Sequence, residues 1–252
     1  MTILSDQEML RYNRQINLKS FDFEGQEALK QSKILIIGLG GLGCAASQYL
    51  AAAGIGSLTL IDDDVVELSN LHRQVLPQDS TQGQHKVNSA TESLKQLNPH
   101  LNIHSIAKRL DEPDLEYEVS QHTLVLDCSD NLDTRNQLNR ICYKLKIPLV
   151  SGAAIRMEGQ ISVFTYKDER QPCYQCLSSL FGDTNLSCVE SGVMSPIVGI
   201  IGTVQALEAI KLVANFGQPK EGMMLLMDGM TMSWQELKVS KQSNCIVCSE
   251  TL

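Results

Sequence analysis

The chain has 252 residues, 43% apolar and 20% charged, the balance of a globular protein that buries a core in one large or two small domains. A formal charge of -8 removes nonspecific attraction to nucleic acid or to an anionic membrane, so any phosphate chemistry needs a local cationic site. The polar opening MTILSDQEMLRYNRQ is not a secretion signal, and with eight cysteines it points to a cytoplasmic protein whose thiols are reduced or metal-bound.

Ser5 and Glu8 have the capping-box spacing, which predicts a helix from Asp6 to Ile16. The run KILIIGLGGLGCAASQYLAAAGIGSLTLIDDD then reads as an apolar strand, a glycine turn, an Ala-rich helix closed by Gly54 or Gly56, and a strand ending at Asp62. That is a βαβ unit with a right-handed crossover. Further on, KVNSATESLKQLNPH reads as helix, LNIHSIAKRL and HTLVLDCSD as strands, LDTRNQLNRICYKLK as helix and PLVSGAAI as strand. The alternation predicts an α/β fold with a doubly wound, Rossmann-like, mostly parallel sheet. After residue 156 the pattern changes. GQISVFTYKD and GMMLLMDGMTMSWQELKV predict a smaller antiparallel C-terminal extension, with cysteine-bearing loops between. Ser195 and Pro196 look like N-cap and N1 of an apolar helix, and its Glu208 and Lys211 mark it as buried rather than membrane-spanning. With no repeat or clear linker, a single interwoven domain is expected.

Gly38-Leu39-Gly40-Gly41-Leu42-Gly43 is G-x-G-x-x-G directly after a strand and before a helix, with Asp62 nineteen residues beyond Gly43. Glycines let backbone approach a phosphate, the helix N-terminus favours its charge, and the acid can hold ribose hydroxyls. A nucleotide site is the strong reading, but the same turn serves NAD-dependent oxidoreductases. The segment DDDVVELSNLHRQ…GQHK adds Asn70, Arg73, Gln74 and Lys86, more cationic equipment than a dinucleotide needs and suited to a triphosphate. Spacing alone leaves open that these are solvated surface charges. LDCSDN puts Asp127, Asp130 and Asn131 at the carboxyl edge of the sheet, where a carboxylate holds Mg²⁺ or caps the next helix.

The cysteines fall into three kinds. Cys173/Cys176 and Cys245/Cys248 are C-x-x-C pairs separated by 68 residues. Neither opens a helix in a thioredoxin-like unit, so a closed tetrahedral Zn²⁺ site is expected over two redox dithiols. Cys188 stands alone in FGDTNLSCVESG, and is either a reactive thiol or inert. Cys44, Cys128 and Cys142 read as small buried residues.

Taken together, RYNRQ, GLGGLGC, DDDVVELSNLHRQ, GQHKV, DCSDNLDTRNQLN, SGAAIRMEGQ, PCYQC and CVESGVMSPIVGIIG resemble the ubiquitin-activating-type (HesA/MoeB/ThiF) adenylating enzymes, and within them the MoeB family. The resemblance runs from about Leu4 to Cys248. It implies ATP-dependent adenylation of the C-terminal glycine carboxylate of a small MoaD-like ubiquitin-fold protein ending in Gly-Gly, in molybdenum cofactor biosynthesis, with a separate sulfur donor. By motif, Gly38, Gly40, Gly41 and Gly43 lie at the phosphates and Asp62 at the ribose. Ser69, Asn70, Leu71, His72, Arg73 and Gln74 line the triphosphate site, Lys86 meets the transferring phosphate, and Asp130 holds Mg²⁺ beside Asn131. Arg14 is implied to come from a neighbouring subunit, hence a homodimer, and a heterotetramer with the carrier. The resemblance also implies the zinc and divides the chain into a helical arm (1–30), a nucleotide-binding core (31–155) and a zinc-bearing, carrier-docking part (156–252). ISVFTY and the Cys188 loop are the expected docking places. The resemblance leaves open the sister enzyme of the thiamine-synthesis sulfur carrier; a nicotinamide oxidoreductase and a noncatalytic nucleotide-sensing scaffold are the rivals from other classes.

Overall fold

The structure is a computed structural model that describes residues 3–181 and 191–249. Cys188 lies outside the described residues.

The N-terminal helix splits in two, α1 (Asp6–Arg11) and α2 (Asn13–Ile16), where a single one was expected. The capping box is present, with Ser5 N donating to Glu8 Oε2 at 3.0 Å and Glu8 N to Ser5 Oγ at 3.3 Å. The break falls at Tyr12, whose ring is drawn beneath Gly54 and whose hydroxyl accepts from Asn98 Nδ2 at 2.8 Å. Holding that ring takes the backbone off its helical path. α3 (Asp22–Gln31), which lies almost wholly in the expected helical arm but was not read as an element of its own, leads into β1 (Lys33–Ile37).

The βαβ unit forms as read. β1 gives way to α4 (Gly41–Ala53), which Gly54 closes at φ 92°, and β2 (Ser57–Ile61) pairs parallel with β1. Then come α5 (Lys86–Leu97), β3 (Asn102–Ile106), α6 (Glu112–Ser120), β4 (Leu124–Asp127), α7 (Leu132–Leu145) and β5 (Leu149–Ile155). α6 was missed, because its sequence EPDLEYEVS is mostly polar and carries only Leu115 and Val119 into the core.

The antiparallel part is not a separate layer. β6 (Glu158–Phe164), β7 (Met223–Asp228) and β8 (Ser233–Lys238) continue the same sheet, in the order β3-β2-β1-β4-β5-β6-β7-β8. β5 is the strand where the sheet changes character, parallel to β4 and antiparallel to β6. ISVFTY therefore sits between β5 and β7 with Ile161, Val163, Phe164 and Tyr166 buried. It has no face to offer a partner, and the open edge in this half is β8, every residue of which is exposed.

The last long helix, α9 (Ser195–Val213), follows the short α8 (Tyr174–Ser178). It is long and apolar enough to cross a membrane, yet it lies against α4 and the sheet. Gly202 meets Leu42 O so closely that a Cβ there would stand 2.3 Å away. Glu208 is buried on Lys211 and on Lys220 N, a satisfied core carboxylate. Ser195 is the first helical residue and Met194 the cap, one residue earlier than expected. The Ser195 hydroxyl is used elsewhere, donating to His72 O.

Candidate functional site

In this strand order β1 and β4 are neighbours whose connections leave in opposite directions, the crevice position where open α/β sheets bind ligands. The glycine turn follows β1 and the segment 128–131 follows β4. They touch: Gly38 has φ 91°, and a Cβ on it would stand 2.8 Å from Cys128 O. Gly43 lies against Gly38 O, where a Cβ would come to 1.9 Å, and Gly41 is walled by Val198 and Arg73 O. Gly40, the N-cap of α4, differs. A Cβ there meets no atom within 4 Å among the described residues, so none of their contacts requires the glycine. The space it leaves open lies at a helix N-terminus, where backbone N–H groups and the dipole favour an anion. Gly43→Ala is expected to destabilise by about 1–3 kcal/mol or more, as overpacking against backbone does, read as a lower urea midpoint with an unchanged slope.

Asp62 closes the turn from the other side. Its Oδ2 accepts from Leu39 N at 2.6 Å and its Oδ1 from Asp64 N at 2.9 Å. Burial pushes its carboxyl above the usual carboxylate range, opposed by the Lys86 charge and these two backbone donors. The next segment arches over the turn. A 3₁₀ turn at Leu68–Asn70 brings Arg73 O to the glycines, and Ser195 ties His72 O to the start of α9. Arg73 is half-buried, its Nη1 donating to Ser69 O at 3.1 Å beside the exposed His72 ring, and it makes no ion pair among the described residues. Asn70 is buried, accepting from Gln74 Nε2 at 3.0 Å and donating to Ser69 Oγ at 3.1 Å. Gln74 Oε1 is buried without a partner among the described residues, and Leu71 is half-buried behind the turn. Lys86 opens α5 with its side chain only 7% exposed, its Nζ 2.6 Å from Asp64 Oδ2. Lys86 is therefore not a solvated surface charge, while Arg73 keeps part of its surface in water.

Asp127 is fully buried and already spent, accepting from Ser129 N, Ser129 Oγ and Ser151 Oγ at 3.1, 2.6 and 2.8 Å. Asp130 is exposed and makes no hydrogen bond or ion pair among the described residues. The cap of α7 is Asn131, whose Oδ1 accepts from Thr134 N at 2.9 Å, so Asp130 is not the cap. Sequence reasoning missed what holds this edge in place. Arg135, buried, donates to Ser129 O at 2.6 Å and Gly152 O at 3.0 Å, and Gln205 Nε2 donates to Asp127 O and Val150 O at 2.9 and 3.2 Å. A Gln among the apolar residues in the middle of that helix was the available signal. Asp64 was also passed over, although it stands in the same Asp triplet as Asp62.

Arg14 is not at this site. It is exposed on α2, between Tyr12, packed on Gly54, and Gln15, whose Nε2 donates to Ala53 O at 3.0 Å. That is the C-terminal end of α4, and thirteen residues of helix put it about 20 Å from the glycine turn.

The C-x-x-C pairs converge. All four cysteines are buried, and their Sγ atoms lie within 4.8 Å of one another. Cys173 Sγ is 3.7 Å from Cys245 Sγ, and Cys176 Sγ 3.4 Å from Cys248 Sγ. A tetrahedral Zn²⁺ with bonds of about 2.3 Å has sulfur–sulfur edges of about 3.8 Å, so the four thiols are gathered at the spacing that ion needs to within about 1 Å. Gln242 N and Asn139 Nδ2 point at Cys176 Sγ and Cys173 Sγ, at 3.4 and 3.5 Å. The first pair does open a helix, contrary to the sequence reading, but only the five residues of α8, capped by Cys173. Cys44, Cys128 and Cys142 are buried as read, and burial pushes the Cys44 thiol up to about 12.

Fold and site together define a doubly wound α/β protein with a glycine turn at the crevice of its sheet, two cations in the segments beside it and a cluster of four thiols that could hold a metal. A model described as the ThiF family matches residues 12–247, and the chain belongs to that family. It is 57% identical over 250 residues to the molybdopterin-synthase adenylyltransferase of Salmonella typhimurium, and 58% identical over 250 residues to that of Escherichia coli, covering 99% of this chain and 100% of each relative. It is 43% identical to the adenylyltransferase and sulfurtransferase MOCS3 of Drosophila yakuba, covering 98% of this chain and 55% of that protein. Among solved structures, PaaA superposes with a TM-score of 0.82 at 26% identity, covering 96% of this chain and 76% of that one. Escherichia coli MccB with ATP superposes with a TM-score of 0.82 at 23% identity, 95% and 74% covered, a likeness of fold.

Proposed function

We propose that the chain is an adenylyltransferase that uses ATP to activate the C-terminal glycine carboxylate of a small ubiquitin-fold sulfur carrier of molybdopterin synthase. The observation that carries this reading is the buried Lys86, paired with Asp64 next to the Asp62 that closes the glycine turn, and the half-buried Arg73, whose backbone oxygen walls Gly41. A nicotinamide dinucleotide needs no such cations, whereas a triphosphate whose pyrophosphate leaves does. A noncatalytic sensor would need them only to bind. Membership in the ThiF family and end-to-end relatives bearing the adenylyltransferase name support the same reading.

In the reaction a carboxylate oxygen attacks the α-phosphorus. An acyl–phosphate bond forms as the bond to the pyrophosphate oxygen breaks, and pyrophosphate departs with that electron pair. The nucleophile is already an anion, so no base is needed, and the protein's work is positioning and charge neutralisation. We assign the glycine turn of Gly38, Gly40, Gly41 and Gly43 to the phosphates and Asp62 to the ribose. Ser69, Asn70, Leu71, His72, Arg73 and Gln74 form the wall of the triphosphate pocket, and Lys86 neutralises the transferring phosphate. Asp130, exposed at the sheet edge with Asn131 holding the helix in its stead, suits Mg²⁺, which keeps most of its waters and needs few protein ligands. Zn²⁺ would be held by Cys173, Cys176, Cys245 and Cys248 and would have no open position, so its part is structural. The assignment keeps residues 1–30 as arm, 31–155 as nucleotide-binding core and 156–252 as zinc-bearing, carrier-docking part, in the cytoplasm with a separate sulfur donor.

The position of Arg14 supports a homodimer in which each copy completes the other's site, with one carrier per copy. A two-fold interface exchanges the same patch reciprocally. Arg14→Ala and Lys86→Ala, each inactive alone, are then expected to regain activity on mixing, since one site of the mixed dimer has both residues. The adenylation reading itself is tested by ATP–pyrophosphate exchange, with and without the molybdopterin and thiamine carriers. Exchange that needs neither carrier, or only the thiamine one, would overturn it, and exchange with the MoaD-like protein is the expected result. Cys188→Ser is expected to leave that exchange intact, because the acyl-adenylate forms before any thiol could take part.

A further inference from the structure

Because the Asp130 side chain makes no hydrogen bond or ion pair among the described residues, its direction is set by the peptide units on either side. One residue holds both. The Ser129 carbonyl lies in the peptide plane that joins Ser129 to Asp130, and it accepts from Arg135 Nη2 at 2.6 Å. On the far side Arg135 N donates to Asn131 O at 3.3 Å, the first bond of α7. The same Nη2 also donates to Gly152 O at 3.0 Å. The sheet explains this second carbonyl. Parallel pairing of β4 with β5 ends at Asp127 and Ser151, and Val125 N takes Pro148 O, so every second carbonyl of β5 faces β4 and Gly152 O is the one left where β4 stops. Ser129 N, which would continue the ladder, goes instead to Asp127 Oδ1 at 3.1 Å. Arg135 closes the gap by drawing two carbonyls onto one nitrogen.

We infer that Arg135 is a positioning residue for the metal: by fixing the peptide units on both sides of Asp130 it sets the direction in which that carboxylate leaves the sheet edge, and so how well Mg²⁺ is held on the nucleotide. The fold alone does not ask for a guanidinium here. One rung lower, Gln205 Nε2 from α9 ties Asp127 O to Val150 O with a neutral amide. Burying a charge costs more than burying an amide, so the guanidinium needs a use. Arg135 makes no ion pair among the described residues, and Asp127 spends its oxygens on Ser129 and Ser151. What the charge adds is a stronger hold on the two carbonyls, since a bond from a charged donor is shorter and stronger than a neutral one. Burial opposes that charge, while Asp127, Tyr174 and Asp130 act in its favour. A carboxylate standing free on a loop gains most from such a hold, because its backbone then needs no reordering when the metal arrives.

The metal at Asp130 rests on the adenylation reading above. The test uses the full chain as Arg135→Met, Arg135→Lys, Asp130→Asn and Ile141→Ala, the last removing a buried side chain nearly two turns further along α7. Mn²⁺ binding is followed by water-proton relaxation with a non-hydrolysable ATP analogue present, and pyrophosphate release with ATP and the MoaD-like carrier gives kcat and KM. Arg135→Met is expected to weaken Mn²⁺ about tenfold, the lower end of what a group supporting a metal ligand contributes. It should lower kcat more than it raises KM for ATP, because the phosphates keep their other partners. Arg135→Lys, which keeps the charge with a shorter reach, should fall between Arg135→Met and the parent. Ile141→Ala should lower the melting temperature and move neither Mn²⁺ affinity nor kcat. A merely structural Arg135 would behave as Ile141 does, and that result overturns the inference. Full restoration by Arg135→Lys would reduce the residue to a counter-charge for Asp127 and overturns it too, as does Mn²⁺ binding in Asp130→Asn equal to the parent's. Should Arg135→Met fail to fold, Arg135→Lys decides, with unchanged Mn²⁺ affinity again the overturning result. Failure of the adenylation reading shows separately, as parent protein that releases no pyrophosphate with the carrier, and the Mn²⁺ titrations still decide the role of Arg135.

Discussion

Lys86→Ala and Asp130→Ala are each expected to fold like the parent and to lose adenylation, with ATP–pyrophosphate exchange falling by about 10²–10³-fold, the usual cost of removing one transition-state donor. The two substitutions should be tolerated for different reasons. Asp130 is exposed and makes no hydrogen bond or ion pair among the described residues, so truncation costs within about 0.5 kcal/mol. Lys86 is buried, but its direct partner Asp64 faces water, and Asp62, on which its charge also acts, keeps its two backbone donors. What is lost from the fold is the contact of a four-carbon stem. Parallel melting curves with collapsed exchange are the expected pair of observations. Near-normal turnover in either variant would remove that residue from the site.

The second large effect concerns the thiols. Protein purified without chelator is expected to carry one zinc per chain by metal analysis. Cys248→Ser, or exhaustive chelation, should lower the melting temperature by about 10 °C. A cross-link closing the 68 residues between Cys176 and Cys245 is worth about 4 kcal/mol on loop-closure grounds. At 2–4 °C per kcal/mol for a chain of this size, that sets the scale. The loss should begin locally. The segment from Val239 to Ser249 is held by Val239 N on Gly222 O, by Gln242 on α8, and by the thiols. Limited proteolysis of the metal-free protein should therefore cut there before it cuts the nucleotide-binding half. Purified protein with no bound zinc would restore the redox reading of the two pairs.

How far the sequence reaches depends on whether the signal is local. The glycine turn is a contiguous pattern whose geometry follows from a few dihedral angles and one close contact, so its place between β1 and α4 was readable. The thiol pairs were readable too, because two closely spaced pairs have few uses. Tyr12 was not, since its partners Gly54 and Asn98 are distant in sequence and only the folded chain brings them under one ring. The same holds for Arg135, Gln205 and Asp64, whose roles lie in contacts with other segments. A single charged residue is ambiguous alone, and only the burial of Lys86 and the exposure of Asp130 separated ligand-ready groups from ordinary surface and cap residues.

The change of direction at β5 bears on whether this chain can be taken apart. β5 has one edge hydrogen-bonded to β4, at whose end the crevice of the sheet lies, and the other to β6, through which the thiol-bearing half is attached. A chain cut after Ile155 would leave seven residues of bare, apolar strand edge, a ready template for pairing with another copy. The halves are therefore not modules that recombination could shuffle, and strain applied at either end of the eight-stranded sheet is shared by the other.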